Sequence, residues 1–304
     1  MWRRGLVTLL SMTSVGLGIA IGIFALRRPA QEQRPQAQPK PLLGVYLPNW
    51  GTVTLGDLPA DYNLIYAAFA LGDGSGGGAV IYTPEPAQSP DALAADIASA
   101  HRAGRTVLLA IGGADSRAIH ITTPSQVDAF VASVSRIIDR YDFDGIDWDL
   151  ENLRLWNARS VTDASRRLLA RYGDEFLIST VPGPGPVEWK RWARQMGDDL
   201  DLFGMQFYEY PATARQRIAD IERRIDEMVT VYGIDPTKLM IGAMNASGSC
   251  PTCTSRPSVY RDAIVRARAT HPTLRGAFVW SAAIDREADW VFARQVGPTV
   301  LSVP

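Results

Sequence analysis

The chain has 304 residues, of which 46% are hydrophobic, and a formal net charge of −1 at pH 7. This length and apolar content suffice for one large core, and an α/β barrel of about 250 residues would use most of the chain. The near-zero charge argues against a nucleic-acid partner, because phosphate binding needs a surplus of basic side chains. A neutral polymer suits this charge balance better.

The N-terminal segment 5–26 is uncharged, mostly apolar and bracketed by two arginine pairs. As a helix it would be roughly 33 Å long, which is enough to cross a bilayer. A cleaved signal peptide is the alternative, because Ala20 and Gly22 have the small side chains that a cleavage site needs. The apolar run continues past that site, so we favour an uncleaved anchor with its N-terminus inside. In both cases residues 1–28 predict export of the rest of the chain, either anchored to the membrane or secreted.

Residues 29–41 are rich in proline and glutamine and cannot form a core, so we expect an extended linker there. The folded domain is therefore predicted to cover residues 42–304. We expect it to be a monomer.

From residue 42 onward, short apolar runs alternate with amphipathic stretches, which is the pattern of repeated βα units. Thr123 and Pro124, for example, predict a helix N-cap and first turn ahead of apolar residues at helical spacing. Eight strands with helices between them predict a (β/α)8 TIM barrel. A doubly wound open sheet is the alternative, but no glycine-rich phosphate loop follows the first strand. The predicted strands are 42–47, 63–69, 106–111, 144–150, 176–181, 202–208, 239–244 and 275–280.

The fourth predicted strand lies within the octapeptide Asp-Gly-Ile-Asp-Trp-Asp-Leu-Glu at residues 144–151. Successive side chains of a strand point to opposite faces, so Asp147, Asp149 and Glu151 project to one side and the apolar residues to the other. Such neighbouring carboxyls lose solvation and repel one another, which is costly unless they share protons or hold a cation. The alternatives are a solvent-exposed acidic strand edge, which would not have Ile, Trp and Leu so regularly on its other face, and a surface calcium loop, whose glycine would follow the oxygen ligands. The pattern predicts an active site.

This octapeptide resembles the Asp-Gly-x-Asp-x-Asp-x-Glu signature of glycoside hydrolase family 18, the chitinases and endo-β-N-acetylglucosaminidases. The resemblance implies cleavage of β-1,4 bonds next to N-acetylglucosamine with retention, the substrate's own acetamido oxygen acting as nucleophile. It implies that Glu151 protonates the leaving oxygen, that Asp149 orients the acetamido group and that Asp147 shares a proton with Asp149. No metal or organic cofactor is implied.

Two further segments resemble the family's motifs with departures. Residues 110–113 read Ala-Ile-Gly-Gly where the family has Ser-x-Gly-Gly, so Ala110 lacks a hydroxyl that would support the carboxylates. We expect altered tuning rather than lost activity. Gln206 and Tyr208 match the Gln-x-Tyr-Asn of small members of the family, while Glu209 departs from it. The resemblance implies that Tyr208 donates to the acetamido oxygen and that Gln206 faces the substrate.

Aromatic residues close several predicted strands. Trp280 ends the last strand, as a tryptophan does in the family, where it forms the floor of the sugar site. Tyr46 and Trp50 near the end of the first strand, and Phe69 after the second, are predicted to bind substrate at the same mouth. Flat rings suit sugars because the C–H face of a pyranose stacks on them while its hydroxyls hydrogen-bond around the edge.

The cysteines and histidines do not predict a metal site. In an exported protein Cys250 and Cys253 favour a small disulfide over a zinc or redox site. The three histidines, His101, His120 and His271, have no second ligand at metal spacing.

Two other functions remain as alternatives. One is a sugar-binding lectin on a degenerate barrel of the same family. Such proteins typically lose the acid, so the presence of Glu151 argues against this alternative. The other is a magnesium-dependent phosphotransferase, which would need a phosphate cradle. Chitin, N-linked glycans and peptidoglycan all remain candidate substrates. The glycine-rich segment 72–79 is predicted to be too flexible for the walls of a tunnel, so we expect an open cleft.

Overall fold

The computed structural model describes residues 40–114, 119–183, 187–208, 213–244 and 256–302. The strands in these ranges are β1 (Leu42–Pro48), β2 (Leu64–Gly72), β3 (Val80–Ile81), β4 (Thr106–Gly113), β5 (Gly145–Leu150), β6 (Leu177–Thr180), β7 (Leu202–Gln206), β8 (Leu239–Met244) and β9 (Gly276–Trp280). The helices are α1 (Pro90–Arg102), α2 (Pro124–Tyr141), α3 (Ala158–Tyr172), α4 (Val187–Met196), α5 (Ala214–Thr230), α6 (Pro257–Thr270), α7 (Ala282–Glu287) and α8 (Val291–Leu301).

Eight of the strands in the described ranges close into a parallel barrel. Their order is β1-β2-β4-β5-β6-β7-β8-β9, and β1 pairs with both β2 and β9 to complete the ring. The (β/α)8 barrel is confirmed, and each predicted strand agrees with an observed one to within three residues at either end. Within the described part of the chain, no helix has the length and apolar character that a bilayer span needs. The predicted anchor at 5–26 and the linker residues up to 39 lie outside that part.

The start of α2 shows how local sequence sets the elements. Thr123 is the N-cap, and its hydroxyl accepts from the Gln126 backbone N at 3.4 Å while the Gln126 side chain accepts from the Thr123 backbone N at 3.1 Å. Pro124 occupies the first turn, where its missing N–H is not needed. This reciprocal capping box satisfies backbone donors that would otherwise be orphaned, so the predicted helix start is confirmed.

The barrel interior is packed around one large ring. A Cβ placed on Gly44, Gly204 or Gly242 would come within 2.8, 2.6 or 2.2 Å of the Phe278 side chain. Three glycines on β1, β7 and β8 therefore leave the volume that Phe278 on β9 fills. Interiors of this density have no room for an added methyl group, so we infer that the glycines are required by packing rather than by backbone conformation.

The glycine-rich segment 72–79 is the turn of a hairpin docked on α2. β3 pairs antiparallel with the end of β2, and the Gln126 Nε2 donates to the Gly76 carbonyl at 2.9 Å. Gly78 has φ +92°, and a Cβ there would lie 2.4 Å from the Gln126 carbonyl oxygen, so only glycine allows this approach. The flexibility expected from composition is thus offset by contacts with α2, whereas the open cleft stays a prediction.

Candidate active site

The strand β5 carries the three predicted acids to the C-terminal mouth of the barrel. Alternation turns Trp148 outward, where its indole N–H donates to the Ser165 hydroxyl of α3 at 3.0 Å. Asp147 and Asp149 therefore face the barrel interior, and Glu151 follows directly after the strand. Active sites of such barrels lie at this end of the strands.

The three carboxyls differ in depth. Asp147 has 0% of its surface exposed and Asp149 has 4%, whereas Glu151 is exposed. The chain thus places one acid at the protein surface and two acids beneath it. A molecule that enters the mouth would therefore meet the outermost of the three acids first.

Burial shifts the pKa values of the two deep acids. It raises the pKa of Asp147 to about 6 from its ordinary value of 3.8, although the Tyr46 hydroxyl, which donates to Asp147 Oδ2 at 2.6 Å, opposes the shift. The pKa of Asp149 is raised well above 3.8, first by burial and then by the negative charges of Glu151 and Asp147. Neighbouring buried carboxyls cannot both be ionised, so we infer that this pair holds a proton near neutral pH.

Gln206, at the end of β7, links the middle acid to the outer one. Its Nε2 donates to Asp149 Oδ1 at 3.0 Å, lies 3.4 Å from Glu151 Oε1 and donates to the Val181 carbonyl at 2.9 Å. The bond to the Val181 backbone holds the amide in one orientation. The structure therefore places Gln206 against the carboxyls, and its contact with substrate stays a prediction.

The raised pKa of Asp147 predicts that this residue costs stability at neutral pH. The folded state binds its proton more tightly than the unfolded state does, so stability falls as pH rises between about 4 and 6 and stays lower above that window. Asp147→Asn, which mimics the neutral acid, is expected to stabilise the fold at pH 7 by roughly 2–3 kcal/mol at most, and not at pH 4. Urea unfolding of both proteins at the two pH values measures this.

Asp57 offers a control of opposite sign. Its carboxylate accepts from the Thr54 backbone N at 2.8 Å and hydroxyl at 3.0 Å, and these bonds lower its pKa. Its charge therefore favours folding above its unfolded pKa, so Asp57→Asn should not stabilise the protein at pH 7. A neutral-pH gain from Asp57→Asn equal to that from Asp147→Asn would contradict the prediction.

Tyr208 follows β7 beside the acids. Burial raises the pKa of its phenol well above 10, and the charges of Asp149 and Glu151 add to the effect. The hydroxyl therefore keeps its proton at any physiological pH and is available as a hydrogen-bond donor.

Three aromatic rings form one side of the mouth. Phe69 and Trp280 stack with ring centroids 5.7 Å apart and planes 16° apart, and Trp50 lies 6.1 Å from each of them. Trp50 is 56% exposed, while Phe69 is only 6% exposed. The three rings thus form one apolar surface, of which Trp50 is the most exposed part.

Several predicted residues lie elsewhere than expected or outside the described ranges. Tyr46 is buried, with 1% of its surface exposed, and its hydroxyl binds Asp147, so the structure places it behind the carboxyls rather than at the mouth. Glu209, Cys250 and Cys253 lie outside the described residues. In the described ranges no group of three or more metal-ligating side chains is arranged to hold an ion.

The sequence analysis missed Ser179 as a neighbour of the acids. Ser179 on β6 is in register with Asp147 on one side, as Ala110 on β4 is on the other. Residues in register on parallel strands share a face, so alternation along the short run at 176–181 could have pointed to it.

Comparison with known proteins places this geometry in a family. The model of the family "Glycosyl hydrolases family 18" matches residues 43–285. Exochitinase 1 of Streptomyces olivaceoviridis is 32% identical over 152 residues, which cover 43% of this chain and 25% of that protein. A chitinase of Enterococcus faecalis is 30% identical over 138 residues, which cover 43% of this chain and 38% of that protein. The chain therefore spans well under half the length of these curated relatives.

Solved structures show the same fold. A family GH18 chitinase from Chromobacterium violaceum superposes with a TM-score of 0.73 at 22% identity, covering 87% of this chain and 84% of that one. A fungal endo-β-N-acetylglucosaminidase of glycosyl hydrolase family 18 gives 0.71 at 19% identity, covering 86% and 98%. The barrel, the acids at the end of β5 and the match over residues 43–285 agree, and the chain belongs to glycosyl hydrolases family 18.

Proposed function

We propose that this protein is a glycosidase that cleaves β-1,4 bonds next to N-acetylglucosamine. The proposal rests on the observation that the three acids come from the end of one strand. Asp147, Asp149 and Glu151 all come from the end of β5, and the charges that act on Asp149 and Tyr208 include those of this cluster. Aromatic rings lie on another side of the mouth.

This arrangement favours a substrate-assisted mechanism over the common retaining one. A common retaining glycosidase needs a carboxylate nucleophile about 5–5.5 Å from its acid, across the scissile bond. Two carboxyls on one strand end lie on the same side of the bond. An acetamido oxygen of the substrate can take the nucleophile's place, because it reaches C1 from within the sugar itself.

The steps follow from the depth of each acid. Glu151 gives its proton to the leaving oxygen as the bond from C1 to that oxygen breaks and the acetamido oxygen bonds to C1. The resulting oxazolinium ion carries a positive charge, which Asp149 stabilises while Tyr208 donates to the acetamido oxygen. Glu151, now a carboxylate, then takes a proton from the water that attacks C1, while the bond from C1 to the acetamido oxygen breaks and the acetamido group is restored. The configuration at C1 is retained because each of the two attacks inverts it.

Asp147 supports this cycle from below. Asp147 and Asp149 share a proton as a buried pair. That proton can lie on Asp147 while Asp149 carries the negative charge that faces the oxazolinium. Gln206 keeps Asp149 and Glu151 at a fixed separation. We therefore assign Gln206 to the positioning of the acids and retain substrate contact as a second role.

The aromatic rings form the proposed sugar floor. Trp280 lies closest to the deep residues, 5.5 Å from the Tyr46 ring, and Trp50 extends the apolar face outward toward solvent. We propose that Trp280 stacks on the sugar whose bond is cleaved and that Trp50 and Phe69 contact the chain beyond it. A polymer or glycan is a better ligand for such an extended surface than a monosaccharide.

The relatives named chitinase, exochitinase and endo-β-N-acetylglucosaminidase point to chitin or an N-acetylglucosamine-containing glycan. The direct test is turnover of chitin oligosaccharides, a high-mannose glycopeptide and peptidoglycan side by side, with released reducing ends measured for each. We expect chitin oligosaccharides to be cleaved. Binding to all three with no cleavage of any would support the lectin instead.

We also propose that residues 1–28 anchor the protein to a membrane with the barrel outside the cytoplasm. Full-length protein is expected to sediment with membranes and to need detergent for release, whereas a chain that starts at Leu42 should stay in solution with equal activity. Membrane fractionation and an activity assay of the two proteins measure these outcomes, and N-terminal sequencing of the full-length protein shows whether the segment is retained. A mature N-terminus at Ile23, or anywhere in 29–41, would show that the segment is a cleaved signal peptide.

A further inference from the structure

The buried carboxyl of Asp147 is only half satisfied by hydrogen bonds. Tyr46 donates to Oδ2 at 2.6 Å, but Oδ1 is buried with no hydrogen-bond partner among the described residues. Buried polar atoms nearly always have a hydrogen-bond partner. The lack of a partner costs more free energy for an ionised oxygen than for a neutral one. A donor for Oδ1 is therefore expected close by.

The two strands that flank Asp147 offer different side chains at its level. Ala110 on β4 is in register with Asp147 and has only a methyl group. Ser179 on β6 is in register with Asp147 on the opposite side, has 0% of its surface exposed, and its Oγ also lacks a partner of good geometry within the described ranges. An unpaired buried donor thus lies beside an unpaired buried acceptor.

The two groups already influence each other. The Ser179 hydroxyl lowers the pKa of Asp147, in agreement with the strand register that sets the two side chains at one level. The hydroxyl hydrogen rotates freely about the Cβ–Oγ bond, so a small turn of either side chain converts this close approach into a full bond. The same hydroxyl also lowers the pKa of Tyr66. Tyr66 is therefore the competing partner.

We propose that Ser179 is a positioning residue whose hydroxyl donates to Asp147 Oδ1 and thereby supplies from β6 the support that Ala110 cannot supply from β4. The inference rests on the proposed function, because Asp147 matters to catalysis only through the proton that it shares with Asp149. The bond stabilises ionised Asp147 and holds its carboxyl at the orientation from which that proton passes.

The groups that face Asp147 decide what a change of Ser179 does to the pH profile. They are Tyr46 on β1, Tyr66 on β2, Asp149 on β5 and Tyr208 after β7, and the charge of Glu151 acts on Asp149 from the end of the same strand. The three tyrosines stay protonated because the pKa of each is raised well above 10. Removal of the serine hydroxyl therefore acts on the Asp147–Asp149 pair alone, and the pair should lose its first proton at higher pH.

The experiment compares Ser179→Ala with the swapped double variant Ala110→Ser/Ser179→Ala. We expect Ser179→Ala to lower kcat about tenfold at unchanged KM, the smaller effect of losing one hydrogen bond to a charged group. The ascending limb of its kcat profile should move up by about one pH unit. The swap, which returns one hydroxyl to the level of Asp147, should restore both. Ser135→Ala, which removes another buried serine hydroxyl, on α2, that has no hydrogen-bond partner within the described ranges, should change neither.

A second measurement separates this inference from the proposed function. The ¹³C-carboxyl NMR titration of Asp147 needs no substrate, and its midpoint should rise in Ser179→Ala and return in the swap. An unchanged midpoint in Ser179→Ala overturns the role of Ser179 whatever happens to activity. A swapped variant with wild-type Tm that keeps the raised midpoint also overturns it. Absent turnover in the wild type would overturn the proposed function and leave this titration as the test of Ser179.

Discussion

Glu151→Gln is expected to lower kcat at least about 10²-fold while binding of a chitin oligosaccharide is retained. Glutamine keeps the size and polarity of the side chain and can still accept the weak contact from Gln206, but it has no proton to transfer. Loss of kcat without loss of affinity is the signature of a group that acts only in the transition state. Initial rates on chitin oligosaccharides and calorimetric titration of an oligosaccharide into the variant measure the two quantities.

The matched control is Glu175→Gln, which makes the same chemical change at an exposed glutamate just before β6, at the opposite end of the barrel. It should leave kcat unchanged. Wild-type turnover in purified Glu151→Gln would remove Glu151 from the role of the acid. Weak sugar binding that is equal in Glu151→Gln and in a wild type without turnover would favour the lectin.

The second large effect concerns the substrate. If the acetamido oxygen is the nucleophile, the sugar that contributes the cleaved anomeric carbon must carry an N-acetyl group. An oligosaccharide with glucosamine at that position should not be cleaved, because a free amine cannot form the oxazoline ring. The matched fully acetylated oligosaccharide is the control, and mass spectrometry of the products shows where each chain is cut. The first product should be the β-anomer, which ¹H NMR detects before mutarotation.

A thiazoline mimic of the bicyclic intermediate should inhibit, because ligands that resemble the transition state bind tightest. Asp149→Asn and Tyr208→Phe should each weaken that inhibitor by about 1.5–3 kcal/mol, the cost of one lost hydrogen bond to a charged group. A product of inverted configuration would contradict substrate assistance, and so would rapid cleavage of the bond that follows a glucosamine. Neither result would affect the assignment of the barrel fold. EDTA should leave the rate unchanged, because the proposed steps use side chains and the substrate's own acetamido oxygen and assign none to a metal ion.

The acidic cluster at the end of β5 was predictable because its signal is local. Alternation along one strand is enough to put Asp147 and Asp149 on one face and Trp148 on the other, whatever the strand packs against. The barrel was predictable for a similar reason: its strands are short apolar runs and its helices carry their own caps, as Thr123 and Gln126 do for α2. Periodicity and capping depend on neighbours within a few residues.

The partners of those acids depend on strand order and closure of the barrel. Tyr46 reaches Asp147 across 101 residues and Gln206 reaches Asp149 across 57, and nothing in either local segment specifies the pairing. The hairpin at 72–79 shows the same limit, since its composition indicated flexibility and its contact with Gln126 comes from a helix fifty residues away. Local pattern sets which face a side chain occupies. Which atoms it meets, and so its pKa, is set by the register of strands that are distant in sequence, because only the closed barrel brings them to the same level.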